Sequence, residues 1–145
     1  MLSGFRNAYR DVGVLLLRIG VGLMFILIGY PKLFGGPDQW EMTGANAAYL
    51  GLTAWPMFWG FFIAIAEFFG GVLLILGALF RTAVIVLLIS SIITIAAFAG
   101  QSVEFIHTAN AIAMAFVFLS MLLIGSGQYS LDRTIWKRRR RRRMK

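Results

Sequence analysis

MFWGFFIAIAEFFGGVLLILGAL, residues 57–79, is an apolar run that contains a single charged side chain, Glu67. A helix of about 20 such residues crosses the roughly 30 Å hydrocarbon core of a bilayer. Three more apolar runs, residues 12–34, 82–99 and 108–124, approach or reach the same length. The four runs predict four transmembrane helices.

The composition of the chain points to the same class of protein. The hydrophobic fraction is 59% and the mean hydropathy is +0.80, which leaves a chain of 145 residues too little polar surface to coat a soluble domain. The first run follows Arg6 and Arg10 as in a signal peptide, but it continues to Lys32 without a small-residue cleavage site. We therefore interpret it as a retained span. We predict an all-α integral membrane four-helix bundle over residues 12–132, between a cytoplasmic N-terminus (1–11) and a basic cytoplasmic tail (133–145).

The distribution of basic residues predicts the orientation in the membrane. Arginines and lysines precede span one, occupy the connection between spans two and three at Arg81, and follow span four. These segments fall on one side of the membrane, and short cytoplasmic segments are enriched in Lys and Arg. We expect a multi-pass protein of a bacterial or archaeal cytoplasmic (inner) membrane with both termini in the cytoplasm.

The basic tail supplies much of the net charge of +8. Such a run can neutralise nucleic-acid phosphates, but here it lies directly after a transmembrane span, where basic clusters hold anionic lipid head groups. We interpret the tail as a contact with anionic lipids of the cytoplasmic face and predict no nucleic-acid partner. The residues assigned to this role are Arg138, Arg139, Arg140, Arg141, Arg142 and Arg143.

Missing residue types exclude several chemistries. The chain has no cysteine, which excludes thiol–disulfide exchange, iron–sulfur clusters and cysteine-based zinc sites. Its single histidine, His107, excludes two-histidine haem ligation within one copy, and we interpret it as a residue at head-group depth. No phosphate loop, nucleophile elbow or metalloprotease motif is present. We predict no metal site, no intrinsic cofactor and no self-contained catalytic centre.

The connections between the spans also carry signals. Residues 35–56 form the longest one, and its Gly35-Gly36-Pro37 start and aromatic residues predict a short interfacial helix over residues 38–50. Pro56 suits the first turn of span two. Arg81 and Thr82 leave almost no loop between spans two and three, which must therefore be antiparallel neighbours.

Small and polar residues share one face on three of the spans. Spacings of three, four and seven residues place them together on a helix, and small residues allow membrane helices to approach closely. The faces comprise Arg18, Gly22, Gly29 and Lys32 on span one, Gly60, Ala64, Glu67 and Gly71 on span two, and Ser90, Thr94, Ala97 and Gln101 on span three. We predict an intramembrane polar groove formed by Arg18, Lys32, Glu67, Thr94 and Gln101.

Arg18 and Glu67 are the two charges inside the first two runs. A rise of 1.5 Å per residue puts them about 9 Å apart in depth, so they can meet if both side chains extend or a water bridges them. Otherwise Glu67 must be partnered elsewhere, hydrated or protonated. The pair can lock two helices in register, line a pocket for a polar head group, a quinone carbonyl or a proton path, or do both.

Several motifs resemble those of the DoxX family of small membrane proteins. The resemblance rests on Leu17-Arg18-Ile19-Gly20, on Gly29-Tyr30-Pro31-Lys32-Leu33-Phe34, on Glu67-Phe68-Phe69-Gly70-Gly71 with Gly77 and Arg81, and on the closing segment 125–132, GSGQYSLD. Matching positions in that family include Arg81, Tyr129, Ser130 and Asp132. In the closing segment, Gly125 and Gly127 can end span four, and Ser130 or Asp132 can cap a basic helix that follows. One departure is Ile28, where many relatives carry a histidine.

The resemblance implies a four-helix fold and a link to larger membrane assemblies. Some members of the family are associated with quinone-linked oxidase or thiosulfate-oxidising systems, and others with oxidative-stress complexes. We therefore expect an accessory subunit of a membrane complex, with other membrane subunits as partners and a quinone or lipid bound near Glu67. The alternatives are a stand-alone carrier or proton-coupled channel with Glu67 as the gating carboxylate, and an assembly factor without a ligand.

Overall fold

Five α-helices account for most of the computed structural model, which describes residues 2–101 and 104–132. They are α1 (Leu2–Phe34), α2 (Pro37–Ala45), α3 (Pro56–Leu76), α4 (Phe80–Gly100) and α5 (Phe105–Ile124), with a 3-10 helix at Asn46–Leu50. The described residues contain no β-strand, which confirms the predicted all-α class. Four helical segments are long and apolar enough to cross a membrane: Tyr9–Phe34, Pro56–Leu76, Phe80–Gly100 and Phe105–Ile124.

The helix ends follow local backbone chemistry. Pro56 occupies the first turn of α3, as predicted, because its missing N–H would be unpaired there in any case. The helix ends at Leu76 rather than at residue 79, because Gly77 adopts a left-handed conformation with φ 64°. Gly125, with φ 83°, ends α5.

The connection between the first two spans contains the predicted short helix. It is split into α2 and the 3-10 helix rather than running unbroken over residues 38–50. α2 lies against the start of α3 at a pair of glycines, because a Cβ on Gly44 would collide with the carbonyl of Pro56 and one on Gly60 with that of Trp40. The predicted position of α2 at the membrane interface stays a prediction.

Glycines also bring α1 and α3 into close contact. A Cβ on Gly22 would lie 2.7 Å from the carbonyl oxygen of Gly71, and one on Gly29 would lie 2.6 Å from the backbone nitrogen of Phe68. Three of the small residues predicted to share these faces, Gly22, Gly29 and Gly71, therefore form the α1–α3 interface, whereas Gly60 packs against α2. The two backbones meet without side chains between them, as is typical of membrane helices.

The hydrophobic core occupies one half of the bundle. Its buried residues come from the third quarter of α1, the end of α3, the start of α4 and the end of α5: Val21, Phe25, Leu74, Phe80, Val84, Leu87, Phe118 and Met121. The rings of Phe25 and Phe118 meet edge to face at 5.2 Å. We call this half the Arg18 end and the opposite half, where α2 lies, the Trp40 end.

Candidate functional site

A cavity of about 510 Å³ lies next to the core, toward the Trp40 end. Its walls come from α1, α3, α4 and α5. The exposed residues Ile28, His107 and Asn110 show that it opens between α1 and α5. We call it the Glu67 cavity; its lining residues are Met24, Phe25, Ile28, Lys32, Glu67, Ser90, Ser91, Thr94, Phe98, His107, Asn110, Ala111 and Met114.

An ion pair between Glu67 and Lys32 forms part of the wall. The Lys32 ammonium lies 2.7 Å from Oε2 and 3.0 Å from Oε1 of Glu67, and the Ser90 hydroxyl donates to Oε1 at 2.8 Å. Glu67 is 2% exposed, whereas the Lys32 side chain is 29% exposed and faces the opening. Among the three ways of accommodating a carboxylate in the membrane, the structure therefore shows the partnered one.

The other polar groups of the cavity differ in how far they are already engaged. Ser91 and Thr94 donate to carbonyls one turn earlier in α4, at 3.0 Å each. The Asn110 amide makes no hydrogen bond within residues 2–101 and 104–132, and the exposed His107 ring packs against the edge of Phe98. The third N–H of Lys32 and the side chains of Asn110 and His107 are thus available to a ligand.

The structure brings three of the five predicted groove residues together. Lys32, Glu67 and Thr94 line the Glu67 cavity. Gln101 lies outside it, because α4 ends at Gly100 and the Gln101 amide then turns to the Asn46 side chain at 3.1 Å. Arg18 also lies outside it, near the end of α3.

Sequence reasoning missed the α5 wall of the cavity. His107, Asn110, Ala111 and Met114 are spaced by three, four and seven residues, so one helical face carries all of them. This spacing was the available signal, but it was hidden by the otherwise apolar character of the span.

Arg18 is bound by backbone carbonyls and not by Glu67. Nε donates to Leu74 O and Nη2 to Ile75 O, at 2.9 and 2.8 Å, while Nη1 donates to Ser126 O and Tyr129 O, both at 2.9 Å. The side chain is 1% exposed. We call this arrangement the arginine cage. It places a cation on carbonyls in the last turn of α3, where a positive charge is favourable.

The closing segment 125–132 completes the arginine cage and ties three helices to it. The Asp132 carboxylate accepts hydrogen bonds from the N–H groups of Leu79 and Phe80, at 2.9 Å each, so it caps α4. Of the two residues predicted to cap a following basic helix, Asp132 instead caps α4, whose first N–H groups need an acceptor. The prediction for Ser130 stays a prediction, because residues 133–145 lie outside the described residues. On α1, the Asp11 carboxylate accepts from the N–H of Gln128 at 3.1 Å.

The remaining motif residues divide between this segment and the surface. Ser130 is buried, and its hydroxyl lies 3.0 Å from that of Ser126. Tyr129 contributes its carbonyl to the arginine cage while its ring is exposed, and Arg81 is exposed in the first turn of α4. The arginines assigned to lipid head groups, 138–143, lie outside the described residues.

These features define a multi-pass helical membrane protein with a polar cavity in one half and a closed core in the other. The chain belongs to the DoxX family, as its motifs indicated: the model of that family matches residues 13–100. Inner membrane protein YqjF of Escherichia coli strain K12 is 28% identical over 135 residues, which cover 89% of this chain and 96% of that protein. No solved structure gives a significant match.

Proposed function

We propose that this protein is an accessory subunit of a membrane complex and that it holds a small lipid-soluble molecule with a polar head, of the quinone class, in the Glu67 cavity. The observation that carries the proposal is the Lys32–Glu67 pair in the wall of this cavity. A volume of about 510 Å³ falls within the usual range of ligand pockets, about 300–1,000 Å³. Polar groups of this kind inside a membrane protein are functional candidates.

The residues of the cavity suit such a molecule. Quinone carbonyl oxygens accept hydrogen bonds, and Lys32 and Asn110 have N–H groups to donate. Met24, Phe25 and Met114 supply an apolar wall for the ring. A bound quinone would supply two-electron redox chemistry, which the side chains of this chain do not provide by themselves.

Two observations favour binding over passage across the membrane. The cavity stops at Phe25, whose ring meets Phe118 at 5.2 Å, and the buried core continues from there to Phe80. Beyond that core, the arginine cage fills the end of the bundle. A carrier or proton channel would need a second arrangement of these helices.

The cellular setting is part of the proposal. A relative of similar length is named an inner membrane protein, and we place this chain in the same kind of bacterial or archaeal membrane. The basic segments around residues 6–10, 81 and 133–145 support a cytoplasmic location for the Arg18 end. In that orientation the Glu67 cavity lies in the half of the bilayer away from the cytoplasm.

A pair of alanine variants on α5 tests the binding proposal. Ala111 lines the cavity, whereas Ala113 is exposed on the same helix. We expect Ala111→Phe to fill the cavity and remove most of the quinone that copurifies with the protein in mild detergent, measured by mass spectrometry of the extract. Ala113→Phe adds the same volume outside the cavity and should leave the amount unchanged. Equal quinone content in both variants, or no quinone in the native protein, would contradict the proposal.

The accessory role has a separate test. Affinity purification from native membranes in mild detergent should recover redox subunits together with this chain in a fixed ratio. Recovery of the chain alone, with its quinone still bound, would refute the assignment as a subunit. The proposal that the cavity binds a quinone would still stand.

A further inference from the structure

A second cavity, of about 600 Å³, lies at the Trp40 end, outside the bundle interior. Its walls are aromatic: Trp40 comes from α2, and Trp55, Phe58 and Phe61 come from the start of α3 and the residue before it. The acidic residue Glu41, together with Pro56 and Met57, completes the lining. We call it the tryptophan cavity.

The aromatic walls of this cavity are held in place by specific contacts. The Trp40 indole donates to Leu33 O at 3.1 Å and meets the Phe61 ring at 4.8 Å. Trp55 lies against Phe58 with a ring separation of 6.5 Å. Trp55 also has φ 57°, a left-handed conformation that a bulky residue before a proline adopts only at an energetic cost. The Trp55 side chain is 77% exposed, so burial does not account for an indole at this position.

The charge around the tryptophan cavity favours a cation. Within residues 2–101 and 104–132, the carboxylates of Asp38, Glu41 and Glu104 make no ion pair, although all three lie at the Trp40 end. Lys32, the basic residue at this end, is engaged by Glu67. Aromatic faces attract cations through their negative π-surface, and an adjacent carboxylate adds a direct charge interaction.

We propose that the tryptophan cavity binds the ammonium group of a zwitterionic phospholipid, of the ethanolamine or choline type. The cavity lies at the start of the candidate span Pro56–Leu76, and the ends of spans are where tryptophans are enriched beside lipid head groups. Met57 and Phe58, which line the cavity, are exposed on the outer surface of α3 and offer apolar contact to the rest of the lipid. A soluble cation would make no use of that surface, which is why we assign the site to a lipid.

Native mass spectrometry of the detergent-solubilised protein tests the site. The probes are phosphatidylethanolamine, phosphatidylcholine and phosphatidylglycerol with identical acyl chains, so that only the first two carry an ammonium group. We expect these two lipids to bind about three- to tenfold more tightly than phosphatidylglycerol, as befits partly exposed cation–π and ion-pair contacts. Glu41→Gln and Trp55→Leu should each remove most of this preference.

Matched variants distinguish the site from general surface effects. Glu104→Gln removes an acidic group, and Phe105→Leu an exposed ring, at the same end but outside the tryptophan cavity. Both should keep the native preference. The proposal is overturned if phosphatidylglycerol binds as tightly as the other two lipids, or if the control variants lose the preference as Glu41→Gln does. Glu41 is exposed, so its variant carries the test even if Trp55→Leu fails to fold.

Discussion

At the scale of single residues, the two charges in the first two spans are accommodated by different chemistry. The N–H groups inside a helix are already paired, but the last carbonyls of each helix are not. A guanidinium can therefore be satisfied by backbone alone where helices end, as Arg18 is in the arginine cage. A carboxylate in the middle of a span needs donors from side chains, and Glu67 obtains them from Lys32 and Ser90.

Replacing Arg18 by lysine should destabilise the protein strongly. A lysine ammonium has three donors on one atom and cannot reach acceptors on both sides as the planar guanidinium does. Several buried carbonyls would lose their partners, and we expect the free energy of unfolding to fall by about 2–4 kcal/mol. Arg10→Lys is the control, because Arg10 is exposed and donates to a single carbonyl, that of Ile124. The free energy of unfolding of both variants is measured by titrating the protein from mild detergent into SDS. Similar losses of stability in the two variants would show that the arginine cage does not depend on guanidinium geometry.

The Lys32–Glu67 pair should show coupling in a double-mutant cycle. Glu67→Gln leaves the Lys32 ammonium in a mostly apolar wall without its counter-charge, and we expect a loss of about 1–3 kcal/mol, reduced by the partial exposure of Lys32. Lys32→Met alone leaves the buried carboxylate without its ammonium partner. The combined variant removes both charges and should cost less than the sum of the two single changes. Additive losses, measured by SDS unfolding, would mean that the pair contributes no interaction energy.

At the scale of elements, the α1–α3 interface depends on the absence of side chains at a few positions. Gly22→Ala should destabilise the bundle by about 1–3 kcal/mol, because the new Cβ would lie 2.7 Å from Gly71 O and force the two backbones apart. Gly20→Ala, two residues away, meets nothing within 4 Å and should be neutral or stabilising by up to about 1 kcal/mol through its helix propensity. Thermal unfolding in detergent compares the two variants, and equal effects would show that the interface tolerates a methyl group.

The same elements show what the sequence can reveal and where it cannot. Apolar length predicted the spans, and helical spacing placed Gly22, Gly71 and Glu67 on contacting faces, because both signals are carried by side chains. The arginine cage was not predictable, because its acceptors are backbone carbonyls, which every residue possesses. Gln101 was misplaced for a related reason: its position follows the helical spacing of Ser90 and Thr94, but α4 ends one residue before it.

The α5 wall of the Glu67 cavity is the other part of the candidate site that the sequence analysis did not predict. The spacing of His107, Asn110 and Met114 describes a helical face, yet nothing in these residues states that α4 and α5 would stand away from α1 at this depth. The width of that gap depends on how much of the space between the helices the core residues nearer the Arg18 end fill. The contact of Phe25 with Phe118 is the most important of these. A cavity is a property of packing between elements and not of any one of them.

At the scale of the whole molecule, orientation is the property that the fold alone does not fix. The chain has no cysteine, so single cysteines can be introduced without removing native ones. Tyr9 and Ala54 are exposed at opposite ends of the bundle. We expect Tyr9→Cys to react with a membrane-impermeant maleimide only after the membrane is opened, and Ala54→Cys to react in intact spheroplasts. The reverse pattern would place the Arg18 end outside the cell and contradict the assignment made from the basic residues.

The arginine cage also ties assembly to the order of synthesis. Arg18 takes two of its acceptors from Ser126 and Tyr129, which are 108 and 111 residues later in the chain. At about 5–20 residues per second, the first helix waits roughly 5–20 s in the translocation machinery or at the bilayer surface before these carbonyls leave the ribosome. Nascent chains stalled before residue 126 should therefore insert their helices yet remain open to added protease, whereas chains stalled in an added C-terminal extension, long enough to bring residue 132 out of the ribosome, should resist it. A segment translated after all four spans thus acts as the latch that closes a bundle begun by the first.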